Sequence, residues 1–141
     1  MSKKSRKVKH ENTVCAVEPA RIPVWQLAAL AGVLAALTLA VFWQTVEFDF
    51  VNLDDNVYVY ANRVVLHGLT AEGLRYAFGF HALNWHPLTW LSLMSDSQIS
   101  ALLFSRGLTL GNEKAGVFHA TNVLLHLANT LLLFFLMTRL T

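Results

Sequence analysis

Twenty-five consecutive residues, Ile22 to Val46, carry no charge, and eight positions after Val46 the chain presents the paired carboxylates Asp54 and Asp55. A helix rising about 1.5 Å per residue makes the run roughly 37 Å long, more than the roughly 30 Å hydrocarbon core of a bilayer, so it can cross with some tilt. Trp25 and Trp43 stand near its two ends, where interfacial aromatic anchors belong. The acidic pair is then expected just beyond the far interface, placed to act on something held at the lipid surface.

A second stretch, Ala115 to Thr138, lacks Asp, Glu, Lys and Arg and is also long enough to span; it is bounded by Lys114 and Arg139. Hydrophobic residues make up 55% of the 141 and charged residues only 14%, and the charges fall in blocks rather than on every helix face. Two spans leave little chain for a soluble core. The expected fold class is an all-α membrane protein: two transmembrane helices joined by a long external loop with amphipathic interfacial helices. Its expected parts are a basic tail at 1–21, transmembrane helix 1 at 22–46, the external loop at 47–114, transmembrane helix 2 at 115–138 and a short end at 139–141.

Orientation follows from the basic residues. Before Ile22 stand six Lys or Arg against two Glu, a balance of +4, whereas Glu47 to Lys114 holds seven acidic residues against four basic ones, a balance of −3. Lys and Arg flank the cytoplasmic ends of spans, so both termini are expected inside and the loop outside, at the cell membrane if the source is bacterial. A cleaved signal peptide competes for the first span, with Thr38-Leu39-Ala40 as a small-residue site, but the apolar run continues unbroken through Val41, Phe42 and Trp43. A basic block beside a span reads as an orientation signal meeting anionic lipid, and no nucleic-acid partner is expected. Cys15 is the single cysteine, which excludes an intramolecular disulfide.

Within the loop, Val51 to Tyr60 alternates branched or aromatic residues with Asn and Asp, which predicts a short extended piece broken by a turn at Asp54-Asp55-Asn56. Thr70 is placed to cap a helix running to Gly79, with Leu74, Ala77 and Phe78 on one face. Pro87 suits the first turn of a further helix, whose apolar residues are interrupted by Ser92, Ser95, Asp96 and Ser97; a helix lying in the outer interface is expected. Ser105 to Gly116, with Gly107, Gly111 and Gly116, predicts a flexible excursion without chemistry. In the second span His119, Asn122, His126 and Asn129 recur at steps of three, four and three, which makes one polar face that must meet another helix or a water-filled cavity.

Four segments carry a family resemblance: Phe50-Val51-Asn52-Leu53-Asp54-Asp55-Asn56, Leu69 to Phe78, Asn84-Trp85-His86-Pro87-Leu88-Thr89-Trp90-Leu91-Ser92, and His119 to His126. In this order they resemble the N-terminal part of the transmembrane and tetratricopeptide-repeat O-mannosyltransferases, within the C-type superfamily of lipid-sugar-dependent glycosyltransferases. The resemblance covers about Val46 to Thr141. It implies transfer of a sugar from a polyprenyl-phosphate carrier to an acceptor hydroxyl, with Asp54 and Asp55 as catalytic base or as ligands of a divalent cation. If the chain is such a transferase, Arg75 and His86 are expected to help bind substrate, and His119, the member of the polar face nearest the outer surface, to line the substrate cavity. No other cofactor is called for.

Two departures stand beside the resemblance. The stretch from Ser95 to Gly116 is longer and more irregular than the family's link into its His-containing helix, and the family continues through many more spans and then repeats. The chain is therefore expected to be a fragment, truncated relative or split product, inactive alone. The alternative is a non-catalytic membrane protein that associates with other helices or with itself through the polar stripe. His67, His81 and His86 share the loop with Asp54, Asp55 and Asp96, but their spacing matches no tight metal-ligand motif, and no metal site is expected from these histidines.

Overall fold

The computed structural model describes residues 22–81 and 83–140. The basic tail at 1–21 with Cys15, and the last residue of the expected 139–141 end, lie outside the described residues. The described chain is helical, with no strand among its described residues. Its helices are α1 (Val24–Phe42), α2 (Arg63–Leu66), α3 (Ala71–Ala77), α4 (Pro87–Ser105) and α5 (Gly116–Leu140).

Two segments are long and apolar enough to cross a membrane, Val24–Glu47 and Gly116–Leu140. The first is α1 prolonged by a 3-10 turn, Trp43–Glu47. Of α1's residues only Thr38 is buried, and its hydroxyl donates back to the Leu34 carbonyl, 2.8 Å away, so its polarity is satisfied within the helix. Leu30, Val33, Leu37, Leu132 and Leu136 are each more than half exposed. Apolar surface of that extent suits hydrocarbon and not water. The Phe42 ring meets His126 edge-on at 4.7 Å, while Thr45 and Phe48 lie against His119 and Asn122, so the two long helices run antiparallel with the end of α1 beside the start of α5.

The 47–114 segment folds into a helical cap organised by α4. Trp90 and Met94 of α4 are fully buried with Val65 of α2 and Ala77 of α3, and Tyr58, Val64 and Tyr76 pack around them. Each large apolar side chain removed from water here contributes about 2 kcal/mol. Gly73 lets α3 approach closely, because a Cβ there would strike the Met94 sulfur. Thr70 caps α3 as its sequence predicts, its hydroxyl oxygen accepting from the Gly73 N–H at 3.0 Å. The helix stops at Ala77, short of Gly79, and its inward face is Gly73, Tyr76 and Ala77; Leu74 and Phe78 point outward.

Two local expectations are corrected. Asn56–Tyr60 is a single π-helical turn, closed by the Ala61 N–H bonding the Asn56 carbonyl, and not an extended piece. Its apolar and aromatic alternation finds no partner strand, and the turn instead sends Tyr58 onto Trp90 and buries Val59. The 105–116 stretch is also no free excursion. The Asn112 N–H bonds the Val46 carbonyl at 2.9 Å, and Asn112 Oδ1 accepts from the N–H groups of Lys114 and Ala115, turning the chain into α5. Gly111, at φ +64°, lies flat on the Val46 carbonyl, and Gly116 lies against the carbonyl of Leu110, so a side chain fits at neither.

Candidate functional site

The end of the molecule where α1 finishes and α5 begins carries a cleft of about 760 Å³. Four separate segments wall it: the chain after α1 with the π-helical turn (Asp49, Phe50, Tyr60), the end of α2 (Leu66), the second half of α4 (Ser97, Ser100, Phe104), and the junction into α5 (Glu113, Lys114, Phe118). Phe50 forms the shared wall, with Tyr60 tilted against it at 5.9 Å and Phe118 edge-on at 5.4 Å. Asp49 Oδ1 accepts from the N–H of Phe50 at 2.8 Å, and the Tyr60 hydroxyl donates to Asn52 Oδ1 at 2.9 Å. Ser97 is 7% exposed and its hydroxyl has no partner. A largely apolar hollow with a few converging polar groups is the usual form of a small-molecule site.

Asp54 and Asp55 do not line this cleft; they lie in the chain between Phe50 and Val59, both of which do. Asp55 Oδ2 accepts from the Val51 N–H at 2.8 Å and so closes the turn, whereas the exposed Asp54 carboxylate has no hydrogen-bond partner among the described residues. Asp54's carbonyl accepts from the N–H groups of Val57 and Tyr58, which is what converts the acidic turn into the π-helical turn that follows.

The other candidate residues are dispersed. Arg75 is exposed on α3, remote from the cleft lining. His86 stacks with Tyr58 and Trp90, ring centroids 5.6 and 5.2 Å apart, and its Nε2 is sealed without a partner. The same aromatic cluster holds His81 face to face with Tyr76 at 3.7 Å. His119, Asn122 and His126 line a separate groove of about 320 Å³ against Phe42, Thr45 and Phe48, so most of the polar stripe does meet a neighbouring helix and a hollow. Asn129 remains outside that groove and exposed.

Among the described residues no three His, Cys, Asp or Glu side chains gather as a metal site.

Sequence reasoning missed three features. Asp49 and Glu113 line the cleft although 64 positions separate them, and Glu113 belongs to the stretch read as being without chemistry. Asp96, read in the sequence as an interruption of an apolar run and as one member of a His and carboxylate set without tight ligand spacing, is 4% exposed on α4 and accepts a 2.6 Å hydrogen bond from the Thr121 hydroxyl of α5. Burial raises its pKa above the ordinary carboxylate value, with the Thr121 hydrogen bond opposing that rise. No periodic spacing links Asp96 to Thr121; only the packing of α4 on α5 does. No protein-family model, curated protein or solved structure matches the chain.

Proposed function

We propose that this chain is the part of a membrane glycosyltransferase that receives a polyprenyl-phosphate sugar and presents it to an acceptor hydroxyl. The observation that carries the reading is the composition of the cleft. Of the four basic residues in the 47–114 segment, only Lys114 lines it, two positions before the second candidate span. A single ammonium there can meet the phosphate of a carrier whose prenyl chain lies along the exposed apolar sides of α1 and α5. A carboxylate can take the proton from a hydroxyl as its oxygen attacks the anomeric carbon and the carrier phosphate leaves. Asp54, whose carboxylate is exposed and uncommitted, suits that role, and Asp55 holds the turn that presents it.

In this reading the termini are cytoplasmic and the cap lies at the outer face. Leu74, Phe78, Phe80, Leu83 and Trp85, each 48 to 89% exposed, rest on the bilayer surface. Two helices do not enclose a lipid-linked substrate, so transfer requires further transmembrane helices packed on these faces.

A non-catalytic, helix-associating protein is the second reading, and the exposed Asn129 on a candidate span favours it. Photoaffinity labelling separates the two. The 141-residue chain in nanodiscs should be labelled by a photoreactive polyprenyl phosphate, the label should be displaced by unlabelled polyprenyl phosphate, and Lys114→Gln should cut it severalfold. Labelling equal to that of a neutral prenol, or unchanged in Lys114→Gln, overturns the glycosyltransferase reading.

A further inference from the structure

We propose that Asp49 and Glu113 are the residues that recognise the sugar ring, accepting hydrogen bonds from its hydroxyls across the cleft while Phe50 supplies an apolar wall for its C–H face. This rests on the reading of the cleft as the carrier site and names the group that fills it.

A pyranose offers two surfaces, a rim of hydroxyls and a face of C–H bonds, so its receptor needs acceptors beside an aromatic wall. A carboxylate has two oxygens and about four lone-pair positions, and its hydrogen bonds are charge-assisted. Asp49 is pre-oriented for this use: Oδ1 is engaged by the Phe50 N–H at 2.8 Å, which leaves Oδ2 for a ligand and ties the acceptor to the aromatic wall in consecutive residues. Glu113 enters from the opposite segment, at the turn that Asn112 caps, with no hydrogen bond or ion pair among the described residues. The Phe50 ring is held by its contacts with Tyr60 and Phe118.

Charge narrows the ligand. Two carboxylates against one ammonium disfavour a free anion such as inorganic phosphate or a nucleotide. They favour a neutral polyol joined to one phosphate group, the polyol between Asp49 and Glu113 and the phosphate at Lys114. Asp49 and Glu113 come from segments far apart in the chain, so a ligand between them is read by both at once.

The test compares carriers with and without a sugar. Competition against the photoreactive polyprenyl phosphate gives the Kd of polyprenyl phosphate and of polyprenyl-phosphate mannose for the chain in nanodiscs. The sugar-bearing carrier should bind about tenfold more tightly, as expected for added charge-assisted hydrogen bonds. Asp49→Asn and Glu113→Gln should each remove most of that advantage and leave the Kd of the bare carrier unchanged. Glu113→Gln alters an exposed side chain, so its result stands even if Asp49→Asn disturbs folding. Binding of the bare carrier with no sugar advantage, or an advantage intact in both variants, overturns this proposal and spares the carrier site. Failure of either carrier to bind overturns both. Displacement of the sugar carrier by millimolar inorganic phosphate as effectively as by mannosyl carrier also overturns it.

Discussion

The hydroxyl of Thr121 on α5 donates a 2.6 Å hydrogen bond to the buried carboxyl of Asp96 on α4, and this bond ties the helical cap to the second candidate span. Because Ser97 and Ser100 follow Asp96 along α4 and line the cleft, the same bond sets the position of the cleft wall.

Asp96 therefore makes stability depend on pH with a definite sign. Its pKa is raised in the folded protein, chiefly by burial, so the folded state holds the proton more tightly than the unfolded chain. The contribution is fully present below the ordinary carboxylate value and is lost as pH rises through the raised one. Asp96→Asn should remove that part of the pH dependence, and Asp96→Ala should cost about 1–3 kcal/mol by leaving the Thr121 hydroxyl without its acceptor. Thermal unfolding in detergent between pH 4 and pH 8 reads both effects; a wild-type midpoint that climbs with pH while that of Asp96→Asn stays flat would contradict the sign.

Gly116 should tolerate no side chain. A Cβ there would overlap the Leu110 carbonyl, whereas at Gly107, which unlike Gly116 is at positive φ (+70°), it would meet no atom within 4 Å. Gly107→Ala should cost only the strain of a left-handed residue, about 1–2 kcal/mol. Gly116→Ala should cost more, because backbone must move, and should open the 105–116 stretch to proteolysis. Equal thermal midpoints for the two variants would refute the close packing of this loop.

The acidic turn predicts two different losses. In an assembly competent for transfer, Asp54→Asn should lower turnover by about 10²-fold or more with membrane insertion unchanged, as expected for loss of a general base. Asp55→Asn keeps an oxygen able to accept from the Val51 N–H, so its defect should be smaller than that of Asp55→Ala, which releases the turn. Turnover near wild type in the Asp54→Asn, Asp55→Asn double variant would remove the pair from the mechanism.

Topology is testable at Cys15. A membrane-impermeant thiol reagent should leave Cys15 unlabelled in intact cells and label a cysteine introduced at exposed Ser105 in a Cys15→Ser background. The reverse pattern inverts the orientation.

Asn129 and His126 should support contacts between helices in the bilayer. Asn129→Leu should weaken association with another helix by about 0.6–1.7 kcal/mol, the range measured for polar contacts in membranes, as read by disulfide trapping or energy transfer between labelled chains. Association unchanged by Asn129→Leu and His126→Leu together would leave the stripe without that role.

The two long candidate spans were legible along the chain because length and the absence of charge are local properties. The runs without Asp, Glu, Lys or Arg from Ile22 and from Ala115 reappear as the helical segments Val24–Glu47 and Gly116–Leu140. Local signals were equally readable where the partner lies within one turn: Thr70 capping α3 through Gly73, and Pro87 opening α4. The repeat of His119, Asn122 and His126 likewise placed one face of α5 correctly. What only the tertiary structure decided depends on contacts between distant positions. Val51 to Tyr60 alternates as a strand would, yet no second strand exists among the described residues to accept its backbone, and burial of Tyr58 and Val59 makes it a π-helical turn. The glycines of 105–116 read as freedom, but Gly111 and Gly116 serve close approach to the carbonyls of Val46 and Leu110. Asp49, Glu113 and Ser97 share a cleft, and Asp96 meets Thr121, because α4 and α5 pack together; those contacts are fixed by packing in three dimensions, which no spacing along one segment encodes.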